Sequence, residues 1–382
     1  MMTTIGLELS WWDRCVGAAD AVLASPRFQR WATAFPLTRP IARRRARDLF
    51  DLVAGFIYSQ VLLAAVRLHL FDILAEGPQR LDALAPRLGL PRDGAARLLD
   101  AAVALRLAER RHGGRYGLGK LGTALVGNPG ITAMIEHHAL LYADLRDPVA
   151  LLRGERASTA LGGYWAYAGT AGPAALTSAQ VADYTDLMAA SQPFIAAEVL
   201  DAYDVGRHRC LLDVGGGDGR FAVEAASRAP ALRVMLFDLP AVAERATARF
   251  AASNLSGRAI ALGGDFRRDA LPPGADLVTL VRILHDHEDV TVLALLRAVR
   301  ACLPPGGTLL VAEPLAGTKG AEPVGDAYFG FYLMAMGSGR PRQAGELMAM
   351  LTEAGFDRIR AIRTRSPLLT GLLLARVPGS HE

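Results

Sequence analysis

The chain has 382 residues, enough for two or three domains, with 42 basic against 38 acidic side chains. A net charge of +4 is too mild to argue for a nucleic-acid partner, even with an isoelectric point near 9.1. Three cysteines, Cys15, Cys210 and Cys302, stand far apart without a C-x-x-C spacing; they read as reduced, buried thiols of a cytosolic protein and offer no metal site.

Hydrophobic residues make up 51% of the chain and mean hydropathy is +0.22, high for a soluble protein. Alanine supplies much of this, so a base-composition bias explains it blandly; a large dimer interface or an apolar substrate explains it more sharply. There is no sign of a signal peptide and no unbroken apolar run of 18 residues, so no membrane span is expected.

Residues 1–48 read as an N-terminal extension. Trp11 and Trp12 stand together, and Ile41 to Arg47 is a basic run. Indole and guanidinium groups on one short segment suit an anionic membrane surface. A solvated helix, or one packed in a dimer, fits equally well.

Residues 49–125 read as a compact unit. Leu49 to Leu70 has a helical apolar pattern, Gly77-Pro78 breaks it, and two further helices flank Gly89-Leu90-Pro91. Glu109 to Leu118 then reads as a hairpin with a Gly113-Gly114 turn. Three helices and a hairpin make a winged helix. Its third helix, Gly94 to Leu105, is almost entirely apolar, with little to offer a base edge or a phosphate. It reads as buried, and the unit as a dimerisation module.

Residues 126–205 form a helical connector, with patterns over Ile135–Tyr142 and Tyr184–Met188 and an aromatic loop at Gly162–Tyr167. His137, His138, Tyr142 and Met188 are candidates for an apolar substrate pocket, although ordinary helix packing is the commoner use of such residues.

Residues 206–382 alternate strand and helix, as a parallel sheet requires. Strands are expected at Cys210–Val214, Leu232–Phe237, Arg258–Leu262, Ala275–Val281 and Gly307–Ala312. Ile359–Ile362 and Leu369–Arg376 lie too close for a crossover helix, so they form an antiparallel pair at the sheet edge.

The first strand runs into Asp213-Val214-Gly215-Gly216-Gly217-Asp218-Gly219. Gly215 and Gly217 let the backbone turn sharply and approach a ligand without a Cβ in the way. A dinucleotide fingerprint wants a third glycine where Arg220 stands, and Asp218 would repel a pyrophosphate. S-adenosylmethionine, a nucleoside without phosphate, has neither conflict. A dinucleotide remains second, and a plain structural turn third. Asp238, at the end of the second strand, is placed to accept both ribose hydroxyls, or to cap the helix that Pro240 begins. Asp265 and Phe266 follow the third strand and suit an adenine amino group and ring; a turn role for Asp265 is the plainer alternative. His285 stands just past the fourth strand as a candidate general base, and Glu313 ends the fifth, placed to orient the imidazole. His285, His287 and the neighbouring acids match no zinc spacing, so no metal is expected.

These residues resemble the class I S-adenosylmethionine-dependent O-methyltransferases of the two-domain type, over about residues 50–378. The resemblance rests on Asp213 to Gly219, Phe237-Asp238-Leu239-Pro240, Gly264-Asp265-Phe266 and Ile283-Leu284-His285-Asp286. It implies a Rossmann-like seven-stranded α/β domain behind a winged-helix dimerisation domain. It implies His285 as base, Asp238 at the ribose and Asp265-Phe266 at the adenine. Asp213, Gly215, Gly217, Leu239 and Arg282 complete the implied cofactor-binding set.

Segments further forward, among them Arg27 to Trp31, Phe35 to Ala42, Ala54 to Gln60 and Glu136 to Asp144, are similar to the carotenoid O-methyltransferases of purple phototrophic bacteria. That implies methylation of the tertiary 1-hydroxyl of an acyclic carotenoid, demethylspheroidene or hydroxyneurosporene in type, by a cytoplasmic homodimer, at the inner face of the photosynthetic membrane if the extension docks there. A relative acting on a bacteriochlorophyll ring carbon is the neighbouring alternative, a phenol methyltransferase a further one, and a cofactor-sensing winged-helix regulator the opposing class. The chain departs from the plant members at His287, where they carry Trp, and at Gly337 to Arg342, where their second acid is absent.

Overall fold

The computed structural model describes residues 10–155, 158–165, 176–368 and 370–379, without the side chains of 178–180 and 183. Ala166 and Tyr167 of the expected aromatic loop, and Leu369 of the last expected strand, lie outside the described residues. The chain divides into two units, Met1–Val126 and Gly127–Glu382.

In the first unit α1 (Trp11–Ala24) starts at Ser10, whose hydroxyl accepts from the N–H of Asp13 while the Asp13 carboxylate accepts in return. It buries no side chain, so Cys15, expected to be buried, is exposed. Next comes α2 (Pro26–Ala34), begun by a proline whose missing N–H costs nothing in a first turn. The following helix, α3 (Arg39–Arg67), is one 29-residue element, so the expected limit at residue 48 falls inside it. Its most apolar 18-residue stretch has mean hydropathy 1.9, and only 17% of that stretch is buried. By length and composition it is long and apolar enough to cross a membrane, although polar residues such as Asp51 and Ser59 interrupt the apolar run. Leu49, Phe50, Leu52, Val53, Phe56 and Ile57 are all exposed.

Then follow α4 (Leu70–Ala75), β1 (Gln79–Arg80), α5 (Leu81–Arg87), α6 (Arg92–Ala104), β2 (Ala108–Arg111) and β3 (Arg115–Leu118). The hairpin pairs Arg111 with Arg115 around Gly113 and Gly114, both at positive φ, and β1 adds a third strand that the sequence did not announce. In α6 the burial is a stripe of Ala95, Leu99 and Ala102 rather than the whole helix; Arg97 and Asp100 face solvent.

The second unit opens with α7 (Pro129–Asp144), α8 (Pro148–Leu152), α9 (Ala160–Tyr164) and α10 (Ser178–Ala202). Its seven strands are β4 (Cys210–Val214), β5 (Arg233–Asp238), β6 (Ala259–Gly263), β7 (Leu277–Val281), β8 (Thr308–Glu313), β9 (Asp357–Ile362) and β10 (Gly371–Arg376). They lie in the order β6-β5-β4-β7-β8-β10-β9, parallel except for β10, which runs antiparallel to both neighbours. All five residues of β4 are buried, as a strand covered on both faces demands. The alternation divides them: Leu211 joins a core with Val199 of α10, Phe221 of α11 (Arg220–Arg228) and Phe250 of α12 (Pro240–Ala252). Leu212 joins the opposite core with Leu296 of α13 (Asp289–Cys302) and Leu351 of α15 (Ala344–Glu353). Each such leucine contributes about 1.5–3 kcal/mol by leaving water. Between β8 and α15 come a π-helical turn, Pro323–Phe329, and α14 (Gly330–Met336).

Order reverses at β4: β5 lies on one side and β7 on the other, both parallel to it. The carboxyl ends there open a crevice, the place where doubly wound sheets hold ligands.

Candidate active site

A cavity of about 180 Å³ occupies that crevice. Its floor is the turn after β4. Gly215 has φ +68°, and a Cβ there would come within 2.4 Å of Ile283; Gly217 has φ +60° with open space where a Cβ would point. The turn thus needs glycine twice, once for packing below and once for backbone shape.

Gly217 donates its N–H to Asp238 Oδ2 at 2.8 Å, and Leu239 donates to Oδ1 at 2.7 Å. The carboxylate ending β5 is therefore aimed by backbone alone, with lone pairs left for two vicinal hydroxyls. Burial raises its pKa, the two N–H bonds oppose that, and the balance lies at about 6. Leu239 lines the cavity beside it.

Asp213 is placed differently. It does not line the cavity; it lies under the turn, 1% exposed, accepting from Thr279 Oγ1 at 2.7 Å. Burial pushes its carboxyl up to about 7.

Asp265 and Phe266 line the far end. Asp265 accepts from the backbone N–H and guanidinium of Arg267; burial works against its charge, but these bonds prevail and hold it below the usual range. Phe266 meets His287 edge to face at 5.3 Å. Asp218, bound by the Arg249 guanidinium, also lines the cavity.

At the other end Arg282 has φ +58°, rare for a residue with a Cβ. Its guanidinium is anchored to α10 by Ser191 Oγ at 2.8 Å, Met188 O at 3.1 Å and Gln192 Oε1 at 2.5 Å. This bend after β7 brings the N–H groups of Ile283 and Leu284 onto Glu313 Oε1, at 2.9 and 2.6 Å, while Glu313 Oε2 lies 2.5 Å from His285 Nδ1. Asp286 Oδ1 faces the opposite ring nitrogen, Nε2, at 3.0 Å. Behind this turn Arg342, 2% exposed, donates to the carbonyls of Leu284 and His287, both at 2.7 Å, and pairs with Asp289. Neither Asp286 nor Arg342 had been assigned a role from the sequence; Asp286 was visible beside His285, whereas nothing local marks Arg342.

The side wall is apolar. Trp165, Tyr184, Met188 and Met336 line it, with Trp165 and Tyr184 rings 4.2 Å apart. Met188 is where the sequence suggested. His137, His138 and Tyr142 do not line the cavity; they stand behind the wall. His137 Nε2 bonds Tyr332 Oη and His138 Nε2 bonds Tyr328 Oη, both at 2.8 Å, and Tyr142 packs on the His138 ring. Burial lowers both imidazoles, His137 to about 4, so both are neutral. Among the described residues no group of three or more His, Cys, Asp or Glu is placed to hold a metal.

The fit to a nucleoside is specific. Asp238 presents acceptors for ribose, and Asp265 and Phe266 an acceptor and a ring for adenine. Seven strands with one reversed near the edge, and this cavity at the reversal of strand order, define a methyltransferase of the S-adenosylmethionine-dependent, Rossmann-like class.

Comparison with known proteins agrees. Residues 142–357 match the O-methyltransferase domain family, and residues 50–128 match the O-methyltransferase dimerisation domain. The chain belongs to the O-methyltransferase family. It is 43% identical over 355 residues to demethylspheroidene O-methyltransferase of Cereibacter sphaeroides, covering 93% of each chain. It is 34% identical over 351 residues to acetylserotonin O-methyltransferase of Mus musculus, covering 86% of this chain and 89% of the other. The crystal structure of human N-acetylserotonin methyltransferase in complex with SAM superposes with a TM-score of 0.72 at 27% identity, over 87% of this chain and 98% of that one. The protein is therefore an enzyme, and the regulator alternative is set aside.

Proposed function

We propose that this enzyme methylates the tertiary 1-hydroxyl of an acyclic carotenoid of the demethylspheroidene or hydroxyneurosporene type, as a homodimer using S-adenosylmethionine. The observation that carries this reading is one cavity with nucleoside-holding groups at one end, Asp286 at the other with the His285–Glu313 pair behind it, and an aromatic and methionine wall between. The likeness to the Cereibacter sphaeroides enzyme along nearly the whole chain supports the substrate class.

When bound, S-adenosylmethionine supplies a methyl group on a positively charged sulfur, already a strong electrophile. The chain's work is then to align, to exclude water and to take away a proton. Asp238 and the glycine turn fix the nucleoside; aligned reactants account for roughly 7–11 kcal/mol of barrier reduction. Glu313, His285 and Asp286 receive the hydroxyl proton, worth about 10²–10⁴-fold. The test is incubation of the purified enzyme with labelled methyl donor and hydroxylated acyclic carotenoids, with identification of the product. Methylation of a phenol or a tetrapyrrole in preference would overturn the substrate class.

The segment ahead of the dimerisation domain supports a second element of the reading, docking on an anionic membrane. Over residues 10–48 eight arginines face three acids. Trp11 is 71% exposed, Trp12 67% and Leu37 78%. At about 1 kcal/mol per basic residue near such a surface, replacing Arg43, Arg44 and Arg45 with Gln should cut binding roughly 100-fold. Flotation with phosphatidylglycerol-containing vesicles reads this. Equal flotation of the variant, or of wild type with purely zwitterionic vesicles, removes the membrane from the reading.

A further inference from the structure

Trp165 presents an indole ring to the main cavity, beside Tyr184, Met188 and Met336. It is 5% exposed, so its ring N–H has to find a partner inside the protein. That partner is Tyr332 Oη of α14, in a long bond of 3.4 Å. The same hydroxyl is bound more closely, at 2.8 Å, to His137 Nε2 of α7. An indole N–H only donates, so the Tyr332 oxygen accepts from Trp165 and its O–H is left to donate to His137. Burial keeps this imidazole neutral, as an acceptor must be.

The main chain that carries Trp165 is pinned from the same two helices. The Asp144 carboxylate, at the end of α7, accepts from the N–H groups of Ala160 and Leu161, both at 2.8 Å. Thr159 Oγ1 donates to Ala335 O of α14 at 2.5 Å, and a Cβ on Gly162 would come within 3.1 Å of Met336 O. These contacts fix α9 but not the plane of the indole. That plane is set by the Tyr184 ring, 4.2 Å away, and by Tyr332, which meets it edge to face at 6.4 Å and takes its N–H. His137 in turn packs on the Tyr164 ring at 4.7 Å. Neither His137 nor Tyr332 lines the cavity, so each acts on a substrate only through the wall in front of it.

We infer that His137 and Tyr332 are positioning residues for substrate selection: their bridge between α7 and α14 holds the Trp165 ring as a fixed face of the slot that takes the apolar chain beside the reacting hydroxyl. This rests on the reading of the enzyme as a methyltransferase of an apolar alcohol. A ring already held in one plane loses no freedom when the substrate arrives, whereas a released indole has to be ordered again. Losing the bridge therefore weakens the binding of substrate and transition state alike, which shows in KM and leaves kcat. A second route leads from the same region to the reacting histidine. Phe329, the last residue of the π-helical turn before α14, meets the His285 ring edge to face at 5.7 Å. Effects that travel this way would show in kcat instead.

The experiment compares wild type with Tyr332→Phe, His137→Leu, their double variant and His137→Gln. Each of the first two raises the KM for a hydroxylated acyclic carotenoid about 10-fold, the scale of one well-made apolar contact. Both keep kcat, and the S-adenosylhomocysteine dissociation constant by calorimetry, within about threefold of wild type. The double variant is within about twofold of the worse single one, because the two groups make one bond. His137→Gln sets an amide oxygen near the place of Nε2 and returns KM to within about threefold of wild type. Lost packing alone would give additive losses and would not be mended by Gln. An unchanged KM in either Tyr332→Phe or His137→Leu, a loss in kcat rather than KM, additive losses, or no rescue by His137→Gln each overturns the inference. If His137→Leu does not fold, Tyr332→Phe and His137→Gln carry the test within the same limits. A wild-type enzyme that binds S-adenosylhomocysteine yet methylates no carotenoid sinks the substrate reading instead; the same KM comparison, made with the apolar alcohol it does methylate, then decides the role of the bridge.

Discussion

The two ends of the cavity treat their carboxylates in contrasting ways. At the nucleoside end Asp238 is held by two backbone N–H groups and Asp265 by a guanidinium, so both acids are shaped before any ligand arrives. At the reacting end Asp286 keeps an oxygen without a donor and shares a histidine with Glu313. Binding is served by satisfied groups that need no rearrangement, whereas proton removal needs a group whose charge can change. Variants should therefore separate affinity from turnover according to the end they touch.

The sharpest separation is expected at Asp238. Asp238→Ala removes two charge-assisted acceptors for ribose, worth about 1.5–3 kcal/mol each, so affinity for S-adenosylhomocysteine should fall 10²–10⁴-fold by calorimetry. The pKa of about 6 adds a pH test. The ionised acid accepts ribose best, so wild-type affinity should weaken as pH drops through 6, and the variant should not share that slope. An unchanged dissociation constant would place the ribose elsewhere.

At the opposite end Glu313→Gln should spare affinity and damage turnover. The amide still accepts from Ile283 and Leu284 through its oxygen, but its NH₂ then faces a ring N–H. Roughly 10²-fold in kcat is expected, with the S-adenosylhomocysteine dissociation constant within threefold. A large affinity loss here would dissolve the division between the two ends.

Smaller still is Arg342→Lys. A lysine keeps the charge but cannot span the Leu284 and His287 carbonyls with one planar fork. Displacing a reacting group by about 1 Å can cost up to roughly 100-fold, so a fall of about 10-fold in kcat is expected, with affinity preserved. Equal kcat would show that the turn holds its shape without this arginine.

How much of each end was legible in the sequence follows from how far its contacts reach. The glycine turn and the Asp238 acid are written in local spacing: Gly217 and Asp238 are 21 residues apart and joined by one crossover. The parallel sheet and the antiparallel pair β9–β10 followed from strand spacing for the same reason. The reacting end depends on contacts that cross the fold. Arg342 reaches carbonyls 55 and 58 residues away, and the positive φ of Arg282 is secured by α10, some 90 residues earlier. His137 and His138 were placed in the pocket because helix spacing shows which residues are neighbours, not which way they face; their tyrosine partners lie 195 and 190 residues on. The length of α3 escaped for a different reason, since its arginine-rich first turns look like an extension while continuing the same helix.

The weakest expected effect tests the reacting end through stability. His285 titrates near 6.5 when unfolded and at about 10 when folded. A group whose pKa rises on folding stabilises fully below its unfolded value and loses that contribution as pH climbs through the folded one. Melting temperature should therefore fall between pH 6.5 and 10, by a few degrees, and this component should vanish in His285→Gln. Asp213, pushed up to about 7 by burial, adds a fall of the same sign at lower pH, between about 4 and 7, which His285→Gln leaves in place. If the slope above pH 7 survives in His285→Gln, the imidazole is not the charged centre of the array, and the contrast between a satisfied end and a reactive end loses its central member.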